Sequence, residues 1–271
     1  MYVAACLQLR SGNDLPLNLD RLEALAARAA STGAALIATP ENTTFLGPAA
    51  QKVAIAEPID GRTHARLGKL ARMLRVHLLI GSVAEKCEEP TPDLRCYNTS
   101  LLYGPTGELL ARYRKLHLFD IDLPGGPTFR ESAHIAPGDD IVCVATPLGV
   151  IGLSICYDLR FPELYRKLVD AGAEILTVPS AFTLQTGKDH WHPLLRARAI
   201  ENQAWVLAPA QEGRHDDQGL RHSYGHSLIA DPWGTVVAEC GDGEGFCLAE
   251  IDLERVRRVR AALPVAHHRR L

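Results

Sequence analysis

No run of apolar residues in this 271-residue chain approaches the ~20 needed to cross a bilayer as a helix. Met1-Tyr2-Val3 enters a strand-like segment directly, without the basic stretch and apolar core of a secretory leader. These two absences predict a cytoplasmic protein with no membrane partner. An excess of charge is missing too: 29 Lys and Arg stand against 32 Asp and Glu, and the formal net charge of -3 gives no electrostatic reason to invoke nucleic acid. The seven cysteines (Cys6, Cys87, Cys96, Cys143, Cys156, Cys240 and Cys247) include no C-x-x-C pair of the zinc or redox kind, and their odd number in mostly strand-like sequence predicts reduced thiols. No repeat, charge block or linker-like stretch divides the chain. A composition 46% hydrophobic and 23% charged can bury a large core, so a single domain over residues 1–271 is expected, with a small molecule as its substrate.

What is present is an alternation of short apolar strands and amphipathic helices. Strands are predicted over residues 2–9, 34–39, 77–83, 174–178, 205–209, 226–230, 235–239 and 246–251, and helices over 15–30, 61–76, 161–171, 191–201 and 253–262. Two hairpins are predicted, one across Gly104-Pro105-Thr106-Gly107 and one across 147–149. Residues 87–94 read as a polar loop and 116–138 as a long irregular segment, a length uncommon unless it shapes a site.

The segment Val150 to Cys156 reads as a buried strand, the polar turn Tyr157-Asp158-Leu159-Arg160 follows, and Pro162 sits where a helix can start. A cysteine at such an elbow is offered at the end of a sheet, beside a helix N-terminus whose partial positive charge favours thiolate. A cysteine in an apolar run is also an ordinary core residue, and the turn alone leaves both readings open. Glu41, after the strand 34–39, and Lys115, ending an inward row with Leu109, Ala111 and Tyr113, stand at the C-terminal ends of two further strands. If the three strands are neighbours, the groups converge on one pocket. Their types suit acyl transfer from an amide: cysteine as nucleophile, glutamate as proton carrier, lysine with a backbone N–H as the oxyanion's partners.

Three stretches carry a resemblance. Pro40-Glu41-Asn42, Tyr113-Arg114-Lys115-Leu116-His117-Leu118-Phe119 and Ser154-Ile155-Cys156-Tyr157-Asp158-Leu159-Arg160-Phe161-Pro162-Glu163 are similar, in order, to the three catalytic motifs of the nitrilase superfamily of carbon–nitrogen hydrolases. The resemblance covers the chain end to end. It implies a four-layer α-β-β-α sandwich, with Glu41 as general base, Lys115 as electrophilic stabiliser, Cys156 as nucleophile and the N–H of Tyr157 as second oxyanion donor. Glu131, in Phe129-Arg130-Glu131-Ser132, matches a second glutamate that orients the lysine. The stretches 125–132, 179–182, 186–191, 195–201 and 223–227 resemble the Nit1 and Nit2 branch, the last most like Nit1. That branch implies hydrolysis of a carboxylate-bearing ω-amide of the deaminated glutathione or α-ketoglutaramate type. It also implies no cofactor, and a homodimer or higher homo-oligomer built through the helix after Cys156 and that around Arg196. Phe182, Thr186 and His190 are the substrate-binding residues expected from these stretches. The chain departs from the branch in carrying no fused nucleotide-hydrolase domain and in stopping at His267-His268-Arg269-Arg270-Leu271, short of a tail often present; the oligomer edge is what this bears on.

Arg160 either grips a substrate carboxylate or pairs with Asp158 or Glu163. No metal is expected: His190 and His192 are off a common helix face, with no acidic partner following at ligand spacing, and His226 reads as a structural, hydrogen-bonded histidine. The rival enzymes are an N-carbamoyl amino acid amidohydrolase and a nitrilase using the same triad. The rival of another class, a scaffold that keeps the fold without catalysis, leaves the cost of burying Glu41 and Lys115 unexplained.

Overall fold

Strand β1 (Tyr2–Leu9) is apolar on both faces because it is covered on both, being buried from Ala4 to Leu9. The computed structural model describes residues 1–87, 95–122, 125, 128–215 and 221–270. After β1 come α1 (Leu15–Ser31), β2 (Ala34–Ala38), α2 (Ala49–Ala54), α3 (Arg62–Leu74), β3 (His77–Lys86), β4 (Cys96–Tyr103) and β5 (Leu109–Arg114). The segment read as irregular holds β6 (Asp120–Asp122), β7 (Thr128–Arg130), a 3₁₀ turn and β8 (Ile135–Ala136). Then follow β9 (Cys143–Thr146), β10 (Gly149–Leu153), α4 (Pro162–Asp170), β11 (Ile175–Thr177), α5 (Leu184–Asn202), β12 (Trp205–Ala208), β13 (Ala210–Arg214) and β14 (His222–Tyr224). The chain continues through β15 (Leu228–Ala230), β16 (Val236–Glu239), β17 (Gly245–Ile251), α6 (Leu253–Ala262) and α7 (Val265–His268).

The strands form two large sheets. One runs β14-β13-β1-β2-β3-β4-β5, with β17 on β1 and β8 on β4; the other runs β16-β15-β12-β11-β10-β9. Because strand side chains alternate, the first sheet divides its residues between two cores. Ala4, Cys6, Leu36, Ala38, Leu79 and Leu102 belong to the core shared with the second sheet, which also takes in α4 and α5 through Leu164, Leu168 and Leu195. Their neighbours Ala5, Leu7, Ile37, Leu78, Ile80 and Leu101 pack instead with α1 and α3 through Leu22, Leu25, Leu67 and Leu70. This is the expected α-β-β-α sandwich.

The local sequence explains most boundaries. Asp14 caps α1 by accepting from the Leu17 N–H at 3.0 Å, with Pro16 in the first turn. Helix α5 begins seven residues before the expected Trp191, capped by Thr183, whose hydroxyl accepts from the Thr186 N–H, and it carries Pro193 inside. Strands β13 and β14 and helix α2 were not foreseen. The polar loop expected at 87–94 lies, beyond Cys87, outside the described residues. So do Gly126 and Pro127 of the stretch 125–132. Among the described residues no helix is long and apolar enough to cross a membrane.

Candidate active site

The turn after β2 is pinned before it can offer Glu41. The Gly81 N–H donates to the Thr39 hydroxyl at 2.9 Å, the Asn42 N–H to the Ser82 hydroxyl at 2.7 Å, and the Gln211 amide to the Glu41 carbonyl at 3.0 Å. Asn42 takes a left-handed backbone, φ 58°. Glu41 then points into the space between the sheets, buried. Lys115 follows β5, and its strand row turns inward only part-way: Leu109 is exposed and Ala111 half-buried, whereas Tyr113 and Lys115 are fully buried. A register shift between Leu102 and Tyr103 separates the outward start of β5 from its inward end.

Lys115 Nζ donates to Glu41 Oε1 at 2.9 Å and to Glu131 Oε2 and Oε1 at 2.9 and 3.2 Å. Asn98, which sequence reasoning missed, sits between the carboxylates, its amide donating to Glu41 Oε1 at 2.9 Å and to Glu131 Oε1 at 3.2 Å. The backbone adds the Ala181 N–H, 3.0 Å from Glu41 Oε2, and the Phe119 N–H, 2.7 Å from Glu131 Oε2. Burial would raise the Glu41 carboxyl, but Lys115, the Cys156 thiol hydrogen bond and Lys52 together hold it down at about 2. Burial acts to lower the Lys115 ammonium, and Glu131 and Glu41 reverse that, leaving it well above the ordinary lysine range.

Cys156 lies three residues past β10, at the start of a 3₁₀ turn (Cys156–Arg160) that runs up to α4 at Pro162. The strand-to-helix elbow is thus present, with Cys156 in a left-handed conformation, φ 48°, and its N–H donated to the Pro179 carbonyl at 2.9 Å. The expectation of a resting thiolate is corrected. Burial raises the thiol well above its ordinary value, Glu41 raises it further, and Lys115 only partly opposes them. The resting set is therefore carboxylate, ammonium and thiol. A second correction concerns neighbourhood: β2 and β5 lie in the first sheet with β3 and β4 between them, and β10 lies in the second. The three groups meet across the two sheets, not along one sheet edge.

Asp158 joins the halves, in a role the sequence did not show. Fully buried, it accepts from the Tyr113 hydroxyl at 2.7 Å, the His117 N–H at 3.1 Å and the Ile155 N–H at 2.8 Å, so it ties the end of β5 to the Cys156 turn. Arg160 therefore lacks the expected Asp158 partner, and no ion pair to Glu163 is found among the described residues. Its guanidinium lies 5.2 Å above the Phe182 ring and 5.9 Å from that of Tyr157.

One cleft of about 990 Å³, its mouth included, takes in Glu41, Lys115, Cys156 and Glu131, together with Tyr157, Arg160, Phe182 and Thr186. Phe119, Phe129 and His134, from the segment after β5, also line it, as do Lys52 and Arg221. His190 does not; it stands behind Arg160, its Nδ1 3.4 Å from the guanidinium. Lys52 was also missed. It donates to Asn42 Oδ1 at 2.6 Å, and burial lowers its ammonium.

A buried glutamate, lysine and cysteine held between the sheets of an α-β-β-α sandwich define a thiol hydrolase class, and the chain belongs to the carbon–nitrogen hydrolase family, whose model matches residues 3–261. It is 44% identical to the deaminated glutathione amidase of Synechocystis sp. over 99% of this chain and 98% of the relative. It is 38% identical to the human omega-amidase NIT2, over 98% of this chain and 94% of that one. The crystal structure of the Caenorhabditis elegans NitFhit protein superposes with a TM-score of 0.90 at 40% identity, covering 99% of this chain and 65% of that one.

Proposed function

We propose that this protein hydrolyses the amide C–N bond of a small ω-amide bearing a carboxylate, of the deaminated glutathione type, through a thioester on Cys156. The observation that carries the reading is the ion set around Lys115, which bonds Glu41 and Glu131 in the cleft that also holds Cys156. In the first half-reaction the Cys156 sulfur bonds to the amide carbon as its proton passes to Glu41. The Lys115 ammonium and the Tyr157 N–H hold the developing oxyanion. Glu41 then returns the proton to the leaving nitrogen, the C–N bond breaks, and amine or ammonia departs. In the second half, Glu41 takes a proton from water, the hydroxide adds to the thioester, and the carboxylic acid and free thiol are regenerated. All these groups belong to the chain, so no cofactor is required. Glu131 positions Lys115, and Arg160 takes the substrate carboxylate from above Phe182 and Tyr157, with Thr186 at the same wall.

The same reading includes a cytoplasmic homo-oligomer joined through α4 and the Arg196 region of α5, without nucleic acid or membrane. Exposed Ile200 and Trp233 support it, on α5 and on the turn that Arg196 holds by donating to the Gly234 carbonyl at 2.8 Å. Amine or ammonia release from a panel of ω-amides, N-carbamoyl amino acids and nitriles tests the function. The highest kcat/KM should fall on ω-amides with a distal carboxylate. Turnover confined to carbamoyl amino acids or nitriles would transfer the site to those reactions, and no turnover of any of the three would leave a scaffold.

A further inference from the structure

Apart from the residues that line the cleft, three side chains from separate elements meet. His192 comes from α5, His226 from the residues between β14 and β15, and Glu239 from the end of β16. Glu239 Oε1 lies 2.8 Å from His192 Nε2 and 2.7 Å from His226 Nδ1, and each of the three donor atoms is within 4.8 Å of the others. The acidic partner that the sequence around His190 and His192 does not supply thus arrives from a strand far along the chain. The geometry points to a binding site for one divalent transition cation of the zinc, cobalt or nickel kind, held by His192 Nε2, His226 Nδ1 and a Glu239 oxygen.

Two imidazoles and a carboxylate suit such cations and not calcium or magnesium, which prefer oxygen donors throughout. Bonds of about 2.1 Å at the tetrahedral angle set donors about 3.4 Å apart, so the two imidazole nitrogens, within 4.8 Å of each other, and the Glu239 oxygen, now 2.7 and 2.8 Å from them, would readjust by about an ångström to hold an ion. The set is held ready. The His226 ring stacks on Tyr224, centroids 4.5 Å apart, and its carbonyl accepts from Trp191 Nε1 at 2.8 Å. Each ligand is about one-third exposed, which gives a route from solvent and leaves a fourth position for water. Both imidazoles must present a lone pair at these nitrogens, so the cation replaces the protons that bond Glu239 in the metal-free state. The ion would clamp α5 to the segment carrying His222 and Ser223, which line the cleft.

Zinc titrated into the full chain by calorimetry, with cobalt as a spectroscopic probe, tests this. The expected result is one ion per chain, a cobalt spectrum without the thiolate charge-transfer absorption a cysteine site produces, and a zinc-dependent rise in unfolding temperature. Even partners outside the ligand set change metal affinity by 10–100-fold, so losing a direct ligand should weaken binding by at least about tenfold. His192→Ala and Glu239→Gln should each do so and lose the zinc-dependent rise. His192→Ala sits in a helix that alanine favours, and Glu239→Gln keeps the side chain's shape, so one serves if the other fails to fold. No binding by the wild type, binding undiminished in both variants, or a thiolate cobalt spectrum would each overturn the site.

Discussion

Replacing Glu131 by glutamine changes one atom and sets two donors against it. Glu131 Oε1 accepts from Lys115 Nζ and the Asn98 amide, and Oε2 accepts from Lys115 Nζ and the Phe119 N–H. Whichever way the glutamine is turned, its NH₂ faces a lysine ammonium and a second N–H. Two hydrogen bonds to the carboxylate, each worth about 1.5–3 kcal/mol, are lost together. Lys115 keeps Glu41, so the ammonium remains buried and paired but is no longer fixed from both sides. An oxyanion donor contributes about 3–4 kcal/mol to the barrier, so displacing it should lower kcat by roughly 10²- to 10³-fold with little change in KM. Unfolding in urea should show a stability loss of about 3–6 kcal/mol, from the same two bonds. Glu131→Asp, which keeps two acceptor oxygens on a shorter arm, should fall between. Steady-state kinetics of the glutamine variant within tenfold of wild type, at unchanged stability, would refute a positioning role for Glu131.

Four further outcomes follow from the same geometry. Glu41→Gln and Lys115→Met should each abolish most turnover, and the double variant should be little worse than either, because both groups serve one step; multiplying effects would mean separate steps. Of the seven cysteines, alkylation of Cys156 alone should end turnover, as mapped by peptide mass spectrometry against residual activity, and Cys156→Ala should release no amine above background. Gly81→Ala should cut activity more than stability, since a Cβ there collides with the Thr39 and Pro40 carbonyls on the turn that carries Glu41; kinetics like those of wild type would show that this turn tolerates displacement. The Glu41 carboxyl is depressed from 4.5 to about 2, so its stabilisation is present above pH 4.5 and lost as pH falls toward 2. That is worth on the order of 3 kcal/mol, and a Glu41→Gln chain with the same acid unfolding curve as wild type would contradict it.

The elements legible in the sequence were those whose patterns are local. β1 ran from Tyr2 to Leu9 and α6 from Leu253 to Ala262 as expected, one a continuous apolar run and the other opened by the Asp252 cap. Glu41, Lys115 and Cys156 stood out because each is a reactive residue just past an apolar run. What stayed hidden depends on pairing across the fold. Asn98 meets Glu41 across 57 residues and Asp158 meets Tyr113 across 45, and no local pattern marks either. The first seven residues of α5 were missed, since the expected helix opened only at Trp191; they hold Gly187, a poor helix former that is required where its Cβ would strike Tyr224. The thiolate expectation weighed the helix terminus and left out burial and Glu41, which only the packed sheets reveal.

Strand β1 is the second element of nothing and the first of everything: it is made first, yet its long free side is filled by β17, which pairs with it from Tyr2↔Ile251 to Gln8↔Gly245. Parallel β13 closes the remaining end at Gln8 and Leu9. During synthesis the sheet that carries Glu41 and Lys115 therefore waits, one edge open, until nearly the whole chain has left the ribosome. Gln211, which holds the Glu41 turn, arrives in that same late portion. A growing chain long enough to contain Cys156 still lacks Gln211 and β17, and closing contacts between such distant segments is slow. The sheet that carries Glu41 and Lys115 is complete only when this last strand is in place.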